Sequence, residues 1–305
     1  MSILSVALRD DLTLQNPILT ASGTYGYGDE VSELVDVNKL GGLVTKSLTR
    51  HPRKGHPPPR IVETSAGMLN AIGLANIGVE RFCKEKLPYL STLKTAVFVS
   101  VAGASFQEYQ EVIEIIESEN PTIAGYEINI SCPNVDQGGM EFGISAEITE
   151  DLIRRLRTST QRFILVKLSP NVTHISEIAL AAQNGGADGV SAINTVIGMG
   201  IDPLSGAFLL SNKFGGLSGP AILPIALAQV YKITQAVTIP IIGMGGIMTA
   251  GDVISFIRAG AWAVEVGTAN YRDPGIGIRL AGEIADILEA QGISNLQKIR
   301  GSAHS

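Results

Sequence analysis

Eight short apolar runs recur along the chain, at residues 17–22, 42–47, 97–102, 126–131, 163–168, 189–194, 239–243 and 263–267. Each is long enough for one strand and most lack a polar face, so these must be covered on both sides, the situation of parallel strands wrapped by helices. Between most of them apolar residues return at i, i+3, i+4 and i+7, which predicts helices over 106–118, 146–158, 176–183, 221–235, 250–258 and 276–291. Eight strands alternating with helices predict a (β/α)8 TIM barrel rather than an open doubly wound sheet, and no GxGxxG follows the first strand as a dinucleotide-binding open sheet would require. A barrel of about 250 residues plus insertions uses up all 305 residues. The reading is therefore a single domain over 1–305, opening with an N-terminal hairpin and carrying long loops at its C-terminal face.

Charge narrows the function classes. Lys and Arg number 23 against 29 Asp and Glu, a net charge of −6, and neither sign forms a run. A phosphate-tracking stripe is missing, so nucleic acid is not an expected partner. Hydrophobic residues make up 45% of the chain, enough for a packed core and too much for disorder. Cys83 and Cys132 are the only cysteines, too few for a disulfide framework or a four-thiolate metal site, which points to a reducing compartment. Asp10 and Asp11 interrupt the N-terminus before a signal-length apolar run forms, and no later stretch reaches the ~18–20 apolar residues of a membrane span. A soluble, cytoplasmic protein without membrane attachment is expected.

Two stretches break the regular spacing: 48–74, which contains Pro57-Pro58-Pro59, and the glycine-rich 196–220. Both follow strand C-termini, the catalytic face of such barrels, and are expected to be lids or binding loops. The strand ends carry polar, mostly uncharged residues. They include Ser22, Lys46 and Ser47, Asn129 through Asn134, Lys167, Asn194 and Thr195, Gly245 and Gly246, and Gly267 and Thr268. None of His51, His56, His174 and His304 ends a strand, so no hydrolytic metal is expected. Glu127 and Glu265 lie inside strands, where a barrel-core partner suits them better than glycoside cleavage.

Glycine pairs after strands seven and eight would leave main-chain N–H groups open to a phosphate. Cys132 is followed by Pro133, which ends the strand and places the thiol at the barrel mouth. There Lys46 or Lys167 could favour a thiolate acting as base or nucleophile. Either lysine could equally form a Schiff base. Asn70, Asn129, Asn134 and Asn194 each offer a donor and an acceptor, matching a planar ring with alternating C=O and N–H groups.

The segments NAIGLAN (70–76), EINISCPNV (127–135), VKLSPN (166–171), SAINTV (191–196), GGLSGPAI (215–222), GMGGI (243–247) and EVGTAN (265–270) closely resemble the dihydroorotate dehydrogenase family, in order along nearly the whole chain. Cysteine at 132 resembles the soluble class 1 enzymes, and the wider pattern resembles the class 1B catalytic subunit. The resemblance implies one FMN per chain, with FAD and a [2Fe–2S] cluster on a partner subunit and NAD+ as final acceptor. A homodimer within a heterotetramer is implied as well.

By the same resemblance Cys132 would remove the C5 proton of dihydroorotate while C6 passes hydride to FMN N5, giving orotate for pyrimidine synthesis. Lys46, Asn70, Ala71, Ile72, Gly73, Leu74, Asn129, Asn134, Asn194 and Thr195 would bind substrate. Ser22, Lys46, Ser47, Ser100, Asn129, Lys167, Ile193, Gly219, Gly245, Gly246, Gly267 and Thr268 would hold FMN, the last four around its phosphate. The loop after Cys132 would close over the substrate. Ser100 stands where the family usually has asparagine, and Gly200 with PLSGAF (203–208) replaces a more basic pattern. Fumarate-linked, class 1A-like acceptor use, a dihydropyrimidine dehydrogenase-like activity and a Schiff-base aldolase on Lys46 or Lys167 are the alternatives.

Overall fold

A computed structural model describes residues 3–131 and 142–304 of the chain. Strands β1 (Val6–Arg9) and β2 (Leu12–Leu14) pair as an antiparallel hairpin. Strands β3 (Ile18–Thr20) and β4 (Gly42–Val44) begin the barrel, and β5 (Ile61–Thr64) and β6 (Gly67–Asn70) leave it. The chain returns for β7 (Ala96–Val101), β8 (Gly125–Asn129), β9 (Phe163–Leu168) and β10 (Gly189–Ala192), then leaves again for β11 (Val196–Met199) and β12 (Phe214–Ser218). Strands β13 (Ile241–Met244) and β14 (Ala263–Val266) close the parallel barrel in the order β3-β4-β7-β8-β9-β10-β13-β14. The expected (β/α)8 architecture is borne out.

Helices α1 (Val79–Glu85) and α2 (Leu87–Leu90) precede β7. The six helices read from periodicity appear as α3 (Phe106–Ser118), α4 (Ala146–Ser159), α5 (Ile175–Asn184), α6 (Leu223–Thr234), α7 (Ala250–Arg258) and α8 (Ile276–Ala290). Their starts are set by side chains: Ser105 accepts from Glu108 N before α3, and Thr249 with Asp252 forms a reciprocal capping box before α7. In α3 the buried residues Tyr109, Val112, Ile113 and Ile116 form the inward stripe that the spacing predicts.

Two expectations need correction. Alternation is not strict, because only two short 3₁₀ turns, Asp29–Val31 and Val37–Lys39, connect β3 to β4. Gly23, Gly26 and Gly28 all have positive φ there, a conformation an α-helix cannot propagate through. The two long excursions are also more than loops. They supply β5, β6, β11 and β12, which pair as one antiparallel sheet in the order β11-β12-β6-β5. Glycines in β12 disguised it, yet closeness demands them: a Cβ on Gly216 would fall 2.0 Å from Thr195 Oγ1, and one on Gly215 would fall 2.8 Å from the Asn70 carbonyl oxygen.

Val6, Leu8 and Leu14 of the hairpin pack with Leu19, Phe98, Phe163 and Ala263, so the hairpin plugs the barrel beside the first residues of β9 and β14. The larger core lies between the strands and the helix ring. With one end plugged, access is left at the C-terminal ends of the strands, where the four-stranded sheet stands. No helix among the described residues is long and apolar enough to cross a membrane.

Candidate active site

The C-terminal ends of all eight barrel strands, together with the antiparallel sheet, surround one cavity of about 1410 Å³. It is lined by Ser22, Lys46, Ser47, Asn70, Ala71, Ile72, Gly73, Leu74, Asn129, Lys167, Ile193, Asn194, Thr195, Gly219, Gly245, Gly246, Gly267 and Thr268. Residues singled out in separate motifs are thereby brought to one place. Ser100 is placed differently: it is fully buried behind the wall, its Oγ 2.8 Å from Ser47 Oγ. Ser47 in turn lies 3.3 Å from Ser22 Oγ, which donates to the Thr45 carbonyl. A relay of hydroxyls thus connects Ser100 to the cavity. Cys132 and Asn134, and the closing loop expected after them, lie outside the described residues, whereas Ser131 and Gly143 line the cavity.

One end of the cavity is a turn of bare backbone. Gly245 and Gly246 have φ of 129° and 76°, and a Cβ on Gly246 would stand 2.8 Å from Leu223 N and 2.9 Å from the Gly219 carbonyl oxygen. Only glycine lets this turn press against the start of α6. Among the described residues the N–H groups of Gly245, Gly246, Thr268 and Ala269 have no main-chain acceptor. Beside them Thr268 Oγ1 donates to Ser218 Oγ at 2.8 Å. Open N–H groups on adjacent strand ends form an anion cradle, which fits the phosphate of FMN.

The opposite wall carries amides and a lysine. Asn70 Nδ2 donates to the Gly216 carbonyl at 3.3 Å, tying β6 to β12. Asn129 Oδ1 accepts from Ser131 N at 3.2 Å and lies 3.5 Å from Asn194 Nδ2. Asn194 Oδ1 accepts from Thr195 N at 2.8 Å. The backbone thus orients each amide, and Asn70 Oδ1 and Asn129 Nδ2 make no side-chain bond among the described residues. Lys46 is half-buried and has no ion-pair partner among those residues. Burial, helped by the Arg60 charge, holds its ammonium below the ordinary lysine value.

Lys167 is held differently. Its Nζ lies 3.5 Å from Glu127 and 3.9 Å from Glu265, the barrel-core partner expected of those two glutamates. Burial lowers its affinity for a proton, but the neighbouring carboxyl groups, Glu127 foremost, outweigh burial and raise it. A lysine kept charged in this way is unsuited to Schiff-base attack, which needs the neutral amine.

Several lining residues escaped the sequence reading. Asn171 donates to the Thr195 carbonyl at 3.0 Å and accepts from Ile197 N at 3.0 Å, pinning the entry to β11. His56 Nδ1 lies 3.0 Å from the Ala71 carbonyl oxygen. Arg53, Arg60, Phe214 and Tyr271 complete the rim. Asn171 was within reach because it ends VKLSPN; the others come from segments with no periodicity, and only the tertiary fold brings them here.

Comparison with known proteins adds the following. The family model described as dihydroorotate dehydrogenase matches residues 4–288. A curated protein of Geotalea daltonii, "Dihydroorotate dehydrogenase B (NAD(+)), catalytic subunit", is 48% identical over 291 residues, covering 95% of each chain. Proteins of the same name from Bacteroides thetaiotaomicron and Desulforudis audaxviator are 45% and 49% identical, covering 99% and 96% of this chain and 99% and 95% of theirs. Among solved structures, the dihydroorotate dehydrogenase of Eimeria tenella in complex with ferulenol superposes with a TM-score of 0.83 at 24% identity, over 99% of this chain and 88% of that one. At that identity the superposition speaks for the fold alone.

Proposed function

The chain belongs to the dihydroorotate dehydrogenase family, and from that premise we propose that it oxidises dihydroorotate to orotate in pyrimidine biosynthesis with FMN bound in the barrel-mouth cavity. The observation that carries this reading is the joining, in one cavity, of an N–H cradle at Gly245, Gly246 and Thr268 to an amide-and-lysine wall at Lys46, Asn70, Asn129 and Asn194. The first suits a phosphate, the second a pyrimidine carrying a carboxylate.

Bound FMN supplies the acceptor for the hydride that leaves C6 of the substrate. The chain's own residues do the rest. Ser22, Ser47, Lys167, Ile193 and Gly219, with the cradle residues including Gly267, would hold FMN, and Ser100 would act through Ser47. Lys167 supplies a positive charge on the cavity wall that favours a ring gaining electrons. Lys46 meets the substrate carboxylate, and Ala71 to Leu74, Asn134 and Thr195 frame the pyrimidine. Cys132 takes the proton from C5.

The relatives' name, a catalytic subunit of an NAD(+) enzyme, supports transfer of the electrons to a second subunit bearing FAD and [2Fe–2S], with NAD+ as final acceptor. Two cysteines cannot hold that cluster in this chain, since it takes four thiolates. A homodimer within a heterotetramer, in the cytoplasm, completes the proposal. One observation favours a second reading: the lowered proton affinity of Lys46 is what a Schiff-base lysine needs, and borohydride trapping of a substrate carbon on Lys46 would support it.

Cys132→Ala tests the main reading. The variant is expected to keep FMN while its reduction by dihydroorotate slows by roughly 10²–10⁴-fold, the usual loss on removing a general base. Unchanged reduction would remove Cys132 from the mechanism. Dihydrouracil should reduce the flavin far more slowly than dihydroorotate, and the complex isolated from its native source should turn over with NAD+ and not with fumarate.

A further inference from the structure

At the floor of the cavity, which Lys167 and Glu265 both line, the barrel holds three ionisable side chains that the proposed chemistry uses only in part. Lys167 on β9 is 6% exposed, and Glu127 on β8 and Glu265 on β14 are 0% and 1% exposed. The glutamates are not equivalent. Glu127 is the nearer to the ammonium, at 3.5 Å against 3.9 Å, and it accepts a hydrogen bond from Ser191 Oγ at 3.0 Å. Among the described residues no hydrogen-bond donor reaches either oxygen of Glu265. The strands flanking Glu265, β13 and β3, bring Met244 and Leu19 into register with it. The ionisable groups that face it are Glu127 and Lys167.

One ammonium between two carboxylates would leave net negative charge in a dry interior, with the second carboxylate lacking any donor. A protonated carboxyl removes that charge. We propose that Glu265 is a neutral carboxylic acid, so that Lys167 and Glu127 form a balanced pair and the second carboxyl adds no negative charge beside the cofactor. It is a positioning residue for Lys167. Burial comes first among the influences on its carboxyl, and repulsion from Glu127 and a hydrogen bond shared with that carboxylate, which accepts the acid proton, add to it; all raise its proton affinity well above the ordinary glutamate value, and Lys167 offsets this only in part. The protonation state stands independently of the function proposed above, whereas its effect on the cofactor rests on that reading.

Two measurements on the full chain test it. Infrared spectra with ¹³C-labelled glutamate at neutral pH should contain the C=O stretch of a protonated carboxylic acid, absent from Glu265→Gln. Wild type without the band, or a Glu265→Gln variant that retains it, overturns the proposal. In the FMN-loaded protein, Glu265→Gln should leave the flavin midpoint potential at neutral pH where it is in wild type, because a neutral group replaces a neutral group. A shift to more positive potential would mean that an ionised carboxylate had been removed and would also overturn it. Failure of the chain to bind FMN would count against the functional reading and leave the infrared result standing.

Discussion

Gly246 shows how one residue serves both packing and chemistry. Its φ of 76° and the 2.8 Å approach of Leu223 N exclude a side chain, while its N–H belongs to the cradle. Gly246→Ala should cost roughly 1–3 kcal/mol of stability and weaken FMN binding in an equilibrium titration. Gly282 is the control: it lies within α8 with nothing near its missing Cβ, so Gly282→Ala should gain about 0.5–1 kcal/mol and leave FMN affinity alone. At Glu265 the sign of the pH dependence follows from its raised proton affinity. The unfolded chain releases that proton above the ordinary value of 4.5, whereas the folded chain keeps it. Stability therefore falls as pH rises from there to the folded value, by up to about 1.4 kcal/mol per pH unit. Thermal denaturation should find Glu265→Gln gaining on wild type from about pH 5 upward, and a constant difference would contradict the assignment. At this scale the sequence was informative wherever a residue violated its surroundings. Lysine at an apolar strand end is such a violation, and Lys46 and Lys167 both reach the cavity. Arg60 and His56 violate nothing in their proline-rich stretch, so no local signal marks them.

Helices were the legible elements because burial on one side imposes a 3.6-residue period, and α3 and α7 run between the residues that the pattern predicts. The antiparallel sheet was not legible. Its strands are half-exposed, most contain glycine, and its central pairing, β12 with β6, spans more than 140 residues of chain, as in Leu217 opposite Leu69. Its own core is small, built on Leu69, Ala71 and Leu210 with Val62 and Leu217 against it. A layer with so little buried apolar area should open independently of the barrel. Leu69→Ala, about 2 kcal/mol or more at a buried leucine, should accelerate amide hydrogen exchange in β5, β6 and β12 while exchange in β8 and β9 stays slow. Equal acceleration in both would show the sheet and barrel to be one cooperative unit.

The molecule as a whole divides its labour between ends. The hairpin and the first residues of the strands seal one end with apolar side chains; the other end carries a contribution from every barrel strand. That division explains why barrel and cavity could be anticipated together, since strand order alone determines which residues share a rim. It also explains what could not be anticipated: the rim's second layer comes from excursions whose path no periodicity records. Under anaerobic conditions, dihydroorotate titrated into the FMN-loaded chain should bleach the flavin absorbance completely, with one orotate formed per flavin; a chain that takes up no FMN, or a bound flavin that dihydroorotate leaves oxidised, would show that this barrel does not oxidise dihydroorotate.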